Sequence, residues 1–295
     1  MLSRRSVLAL SAALPVRADR QPPMALAIHQ TTSVAAGFRA SLEGYARAGI
    51  RYVEVIPPLA EEFIKRESAP AARRLITDLG LKAVSSGGTR GLVEPNPGRA
   101  RALEELKRIS ELAASLGIDR VVCPCGATDK FTADDYARGV QNLRDAGDVV
   151  QPFGVTAMLE FMRGSTFVGA LPTSLKMTRQ AAHPNVRSML DCYHFWAGLS
   201  KFEDLDLIRD GEIHHVHFQD VPEMARELLD NSTREIPGLG VSPLVRILRK
   251  LAEKKYRGPL SVEVFYPRYQ QSDPYQLALL IRRKAEPILQ QAGVL

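Results

Sequence analysis

From Met24 onward, short apolar or β-branched runs alternate with longer stretches in which apolar residues recur at steps of three and four. The short runs are ALAIHQ (25–30), YVEVIP (52–57), LKAVSS (81–86), RVVCPC (120–125), VTAMLEF (155–161), NVRSMLD (185–191), HHVHFQD (214–220) and LSVEVF (260–265), eight in all. Each has the length and composition of a strand. The stretches between them read as helices. In RALEELKRISELAASLG (101–117), Leu103, Leu106, Ile109, Leu112, Ala113 and Leu116 share one face, and Gly117 stands where a helix C-cap belongs. The last stretch begins with Asp273 as an N-cap and Pro274 at the first helical position. This rhythm predicts parallel βα units, which at this chain length close into a (β/α)₈ barrel, a single α/β domain over residues 24–295. A doubly wound open sheet is the alternative. No glycine-rich dinucleotide turn follows the first strand, however, and SSGGTRG (85–91) after the third is loop chemistry. The longest irregular stretch runs from Val221 to Val241.

Composition changes this picture little: 295 residues, 45% hydrophobic and 24% charged, suffice for one full core. A net charge of +6 and an isoelectric point near 9.3 raise the question of an anionic partner. Its distribution argues against nucleic acid. Arg4, Arg5 and Arg17 lie in the opening segment, and the other basic residues are interspersed with acids on helical stretches, as on a solvated face. The opening MLSRRSVLALSAALPVRA has a twin arginine, an apolar run from Val7 to Leu14, and Val16 and Ala18 at the positions of a cleavage site. It resembles a twin-arginine export signal (residues 1–18), which implies cleavage after Ala18 and a periplasmic or exported protein. The apolar run falls well short of the roughly 20 residues of a membrane helix, so no membrane anchor is expected. Cys123, Cys125 and Cys192 form no disulfide framework and read as small buried apolar residues.

In a barrel of this kind, chemistry collects where the strands end at their C-terminal side. Strand five ends with Glu160, strand six with Asp191, strand seven carries His217 and then Asp220, and strand eight carries Glu263 near its end. Alternation puts His215 and His217 on one face, with His217 nearer the mouth and His215 a hydrogen-bonded residue of the layer below. Inward-facing carboxylates repel one another and are costly to desolvate, and a divalent cation lets all of them stay ionised. Three carboxylates and one imidazole form an oxygen-rich set suited to Mn²⁺, with Co²⁺, Mg²⁺ and Zn²⁺ left open.

MLEFM, MLDCYHF, HHVHFQD, REIPGLG and YRGPLSVEVFYPRY resemble the successive strand-end motifs of the xylose isomerase-like TIM barrel superfamily, the sugar phosphate isomerases and epimerases, and in particular its 2-keto-myo-inositol isomerase branch. The resemblance is carried by motifs between about residues 150 and 270; the first half matches in rhythm. It implies that Glu160, Asp191, His217 and Glu263 bind one divalent metal, that His194 contacts substrate, and that Arg234 lies near the substrate's polar end. Two departures stand out. Strand one ends in His29 and Gln30 where the inositol branch has Asn and Glu, and the turn reads PGLG where an acidic or amide residue is commoner third.

A metal beside two glutamates suits proton abstraction next to a carbonyl. The expected function is a divalent-metal-dependent isomerase or epimerase of a keto-sugar or keto-inositol, acting through an ene-diolate, with Glu160 and Glu263 as the acid/base pair. Loss of a β-hydroxyl from the same intermediate would make it a lyase. An abasic-site endonuclease needs further histidines after strands three and four, and SSGGTRG and CPCGATDK supply none. A sugar-binding protein without turnover is a third reading. Trp196 is read either as a wall of the sugar site or as core.

Overall fold

The structure, a computed structural model, describes residues 24–295. The twin-arginine segment therefore lies outside the described residues. Strands β1 (Ala25–His29), β2 (Tyr52–Val55), β3 (Lys82–Gly87), β4 (Arg120–Cys125), β5 (Thr156–Phe161), β6 (Val186–Asp191), β7 (Ile213–His217) and β8 (Pro259–Val262) pair in parallel, each with the next. β8 pairs with β1 and closes the barrel. Helices cover its outside, and the main apolar core lies between the two layers. Among the described residues no helix is long and apolar enough to cross a membrane.

Four strands stop earlier at the mouth than their hydrophobic pattern suggests, each for a local reason. At β1, Gln30 opens a 3₁₀ turn (Gln30–Ala36) that His29 caps by accepting the Thr31 N–H on Nδ1 at 3.1 Å. At β2, Pro57 and Pro58 have no N–H to offer the ladder and open the helix Pro57–Arg66. At β7, Asp220 leaves the barrel ladder and pairs with Glu235 of the following loop. At β8, the Thr32 hydroxyl bonds both Val262 O (2.9 Å) and Val264 N (3.2 Å), taking the place of a strand partner.

The helices follow their sequence signals closely. The helix of the β3 to β4 crossover spans Arg99–Ser115, and Gly117 follows it at φ +78°, a conformation glycine adopts without strain. The last helix, Pro274–Ala292, has Asp273 as its N-cap, accepting the Gln276 N–H at 2.9 Å. The β2 to β3 crossover carries two helices, Pro57–Arg66 and Ala69–Asp78, the second capped by Ser68. The β6 to β7 crossover has only the short helix Cys192–Ala197 and a 3₁₀ turn at Phe202–Leu207.

Alternation along the strands stacks the barrel interior in layers. Val122, Met158 and Met189 form an apolar cluster of their own, with His215 and Ser261 at a similar depth. Glu160, Asp191, His217 and Glu263 stand one step nearer the mouth, each two residues beyond a member of that layer.

Closure between the first and last units depends on a close approach at Gly44, in the helix Gly37–Arg47. A Cβ there would lie 2.8 Å from Tyr275 N and 2.9 Å from Pro274 Cβ of the last helix. Gly44→Val should therefore cost about 1–3 kcal/mol through overpacking. The readout is the thermal melt: an unchanged Tm would mean that these helices are not in contact.

Candidate active site

His217 stands at the centre of the mouth. Its Nδ1 lies 3.1 Å from Glu160 Oε1, 3.3 Å from Glu263 Oε2 and 3.4 Å from Asp191 Oδ2. One ligand-type atom from each of these residues falls within 4.8 Å of the other three. The sequence-predicted set is thus brought together from β5, β6 and β7 and the residue following β8. Asp191 also ends its strand and caps the next helix, accepting the His194 N–H on Oδ1 at 2.6 Å. Its Oδ2 accepts from Gln219 Nε2 at 2.6 Å and Arg234 Nη1 at 2.9 Å.

The other two predicted residues lie against the same cluster. Arg234 Nη1 also donates to Glu263 Oε2 at 2.5 Å, and its Nη2 faces His194 Nε2 at 3.0 Å. The guanidinium is fully buried beside the rings of Tyr193 and Phe265. On the other side of the His194 ring, Nδ1 faces the Arg163 N–H at 3.3 Å. A neutral imidazole has one free lone pair, so it serves only one of these two donors at a time.

The sequence reading missed Glu54. Its carboxylate is fully buried, 2.8 Å from His215 Nε2 and 3.3 Å from His217 Nε2. By taking the Nε2–H of His217, Glu54 leaves Nδ1 free to act as a ligand once a proton is lost, the arrangement in which a carboxylate orients a metal-binding histidine. The signal was a lone glutamate in YVEV. A strand that runs to Pro57 places Glu54 in mid-strand, and one that ends at Val55 places it near the mouth. His215 is the deeper hydrogen-bonded residue its alternation implied.

The two departures in the first strand and the turn have separate outcomes. His29 enters the mouth, with Nε2 3.7 Å from Glu263 Oε1 and 3.8 Å from Glu54 Oε1. Gln30 turns away and bonds Ser41 Oγ at 2.8 Å, tying β1 to the first helix. In PGLG, Gly238 has φ +91°, and a Cβ on Gly240 would sit 2.0 Å from Val221 O. Both positions require glycine, while Leu239 between them points outward, 38% exposed. The turn is clasped by Asp220, which accepts the N–H groups of Gly238 (3.1 Å), Gly240 (3.1 Å) and Ser242 (2.8 Å). Asp220, at the same strand end as His217, is thereby committed to the loop.

Trp196 is half-buried with Tyr193, Ala197, Val221 and Leu229, under the Arg226 guanidinium at 4.1 Å. It packs the helix after β6 against the loop after β7. Cys123, Cys125 and Cys192 are buried free thiols, as their surroundings in the sequence suggested.

Burial is the largest single influence on each titratable group in the mouth, though not always the one that prevails. It pushes the Glu160 carboxyl up to about 7, only partly opposed by His217. The same burial is overcome at Glu263, where His217, Arg234 and His29 hold the carboxyl below its usual range, and at Asp191, where Arg234, His194 and His217 do so. His217 is held well above the usual imidazole value, burial being outweighed by Glu263 and Glu54. Burial lowers His194 to about 4 and also lowers His29, so both are neutral near pH 7.

The donor set fits a divalent cation. Glu54, Glu160, Asp191 and Glu263 are four buried carboxyl groups facing one arginine and a protonated histidine. The four-atom cluster has the oxygen-rich composition and spacing of a single-ion site.

A closed parallel barrel with acids and a histidine gathered at the C-terminal ends of its strands defines a TIM-barrel enzyme. Residues 42–285 match the family described as xylose isomerase-like TIM barrel, and the chain belongs to it. An inosose isomerase of Halalkalibacterium halodurans is 30% identical over 236 residues, 77% of this chain and 81% of that protein. A 3-dehydroshikimate dehydratase of Pseudomonas putida is 27% identical over 248 residues, which are 80% of this chain and 37% of that longer protein. The crystal structure of the IolI protein with a bound zinc atom superposes with a TM-score of 0.85 at 22% identity, covering 91% of this chain and 99% of the other.

The clasp at Asp220 makes a direct prediction. Asp220→Ala removes the acceptor of four backbone N–H groups, those of Val221, Gly238, Gly240 and Ser242, and should destabilise the protein by about 1–3 kcal/mol, the order of a hydrogen bond to a charged acceptor. Limited proteolysis should then cut within residues 236–242, a region it leaves intact in the wild type.

Proposed function

We propose that the chain is a divalent-metal-dependent isomerase or epimerase of a keto-inositol or related keto-sugar. The observation that carries this reading is the convergence of Glu160, Asp191, His217 and Glu263 on one point of the mouth. The match to an inosose isomerase supports the substrate class. In this reading the four residues would hold the ion, Mn²⁺ being the first candidate. When bound, such a cation supplies polarisation of the substrate ketone and offsets negative charge developing on its oxygens.

The chain's own groups divide the proton work. Glu263, held ionised by His217 and Arg234, is suited to take the proton from the carbon beside the ketone. Glu160, whose basicity burial raises, is suited to exchange a proton with the opposite face. Return to the neighbouring carbon isomerises the substrate, and return to the opposite face epimerises it. His194 and Arg234 are assigned to the substrate oxygens. The match to a 3-dehydroshikimate dehydratase favours one second reading, a lyase in which the same base removes the proton and a β-hydroxyl departs.

Ion binding should follow pH with a definite sign. A cation competes with the proton on Glu160, whose carboxyl titrates near 7, and with the Nδ1 proton of His217. Affinity for Mn²⁺ should therefore fall by about tenfold or more per unit as pH drops below 7, and protons should be released on binding. Calorimetry in buffers of different ionisation enthalpy counts those protons. Glu54→Gln should weaken Mn²⁺ binding about 10- to 100-fold by loosening the orientation of His217, and chelation should lower the Tm. A metal-free native protein whose melt ignores both chelator and Mn²⁺ would remove the basis of this reading.

Proton transfer itself is tested in D₂O. Wild-type protein loaded with Mn²⁺ should place deuterium beside the ketone of 2-keto-myo-inositol as product forms. Glu160→Gln and Glu263→Gln should each lose roughly 10²–10⁴-fold in rate, and His194→Ala should lower turnover with the metal retained. Full exchange in both glutamine variants sinks the isomerase assignment. An unsaturated product from 3-dehydroshikimate would establish the lyase instead.

A further inference from the structure

His29 is the one imidazole at the mouth whose outer nitrogen has no hydrogen-bond partner among the described residues. Its Nδ1 accepts the Thr31 N–H, which puts the ring proton on Nε2. That N–H points between Glu263 Oε1 at 3.7 Å and Glu54 Oε1 at 3.8 Å. Both distances are too long for a direct hydrogen bond. One oxygen atom at about 2.8 Å from each of the two groups would fill either gap. A hydroxyl suits this position because it accepts from the imidazole N–H and donates to a carboxylate.

Residual exposure shows which side a ligand reaches. Glu263, His29 and Glu160 keep 8%, 6% and 5% of their surface, whereas Asp191 and Glu54 keep none. A molecule entering the mouth therefore meets His29 and the two glutamates first. Gln30, the neighbouring residue, is fully engaged with Ser41 and Phe38 and takes no part.

Resting on the keto-inositol or keto-sugar reading above, we propose that His29 is a specificity-determining residue that donates its Nε2–H to one ring or chain hydroxyl of the substrate, the hydroxyl in turn donating to Glu263. The site then selects polyhydroxylated ketones bearing that hydroxyl. A substrate lacking it leaves a buried N–H and a carboxylate oxygen without partners.

Two variants separate this role from a structural one, because asparagine and glutamine imitate different ring nitrogens. His29→Asn keeps an acceptor for the Thr31 N–H and withdraws the donor from the mouth. His29→Gln reaches the mouth with an N–H and gives up the cap. Protein loaded with Mn²⁺ is titrated calorimetrically with 2-keto-myo-inositol and with each of its monodeoxy derivatives, and kcat/KM is read from proton exchange in D₂O. Wild type should reject one deoxy derivative by about tenfold or more relative to the parent. His29→Asn should lose that discrimination and His29→Gln should keep part of it, both retaining one Mn²⁺ per chain. Unchanged discrimination in His29→Asn, or a worse defect in His29→Gln than in His29→Asn, would overturn the assignment in favour of a structural cap. A wild type that binds two Mn²⁺ and loses one in His29→Asn would make His29 a ligand of a second ion. Hydroxyl-selective binding without exchange sinks the isomerase reading and leaves His29 in place. Exchange with no dependence on His29 does the reverse, and a wild type that binds no keto-inositol overturns both.

Discussion

Glu54, Glu160, Asp191 and Glu263 are withdrawn from water within a single barrel mouth, and burying an ionised carboxylate without compensation costs several kcal/mol. Each must be paired, protonated or bound to a cation, and the surrounding structure follows from that requirement. Arg234 neutralises Asp191 and Glu263 from one side, while His217 sits among all four acids and is held in its charged form by them. Glu160, which takes no hydrogen bond from the arginine, is the one that burial drives toward protonation. At Glu263 the same burial is outweighed by His217, Arg234 and His29 together, so the two glutamates differ in charge within one mouth.

The same economy of charge organises the loops above. Arg163, just past β5, donates from its side chain to the carbonyls of Ala197, Arg226 and Leu229, joining the helix after β6 to the loop after β7. Its own N–H meets His194. Asp220 clasps the PGLG turn, and that turn leads back from Arg234. Thus the side chain that balances the acid cluster is carried on a loop whose path is set by two other charged residues. A change at Arg163 or Asp220 would reach the site through Arg234 and His194, without touching a substrate.

Isomerase and lyase readings use one set of residues and part only at the fate of the intermediate. Of His29 and Gln30 only His29 faces the mouth, and their division of labour is a local matter. The chain turns into a 3₁₀ helix at Gln30, so His29 is the last side chain that β1 directs inward, and Gln30 is released to bind the first helix.

The sequence by itself determined the barrel and most of its site. Eight β-branched runs separated by helical periods leave a closed parallel sheet as the simplest way to bury both faces, and the period of two along a strand sends Glu160, Asp191, His217 and Glu263 to one height. Tertiary structure decided what lies beyond the reach of local periodicity. Glu54 was hidden because Pro57 and Pro58 end β2 two residues earlier than its apolar pattern, and only that shorter strand puts the glutamate at the mouth. Arg234 reaches Asp191, 43 residues away in sequence, along an irregular loop with no repeat from which its course could be read. Asp220 looked like one more strand-end acid until the loop folded back and offered it three backbone N–H groups. Strand ends and loop paths are set by hydrogen bonds between residues far apart in the chain, and those partners exist only once the barrel has closed.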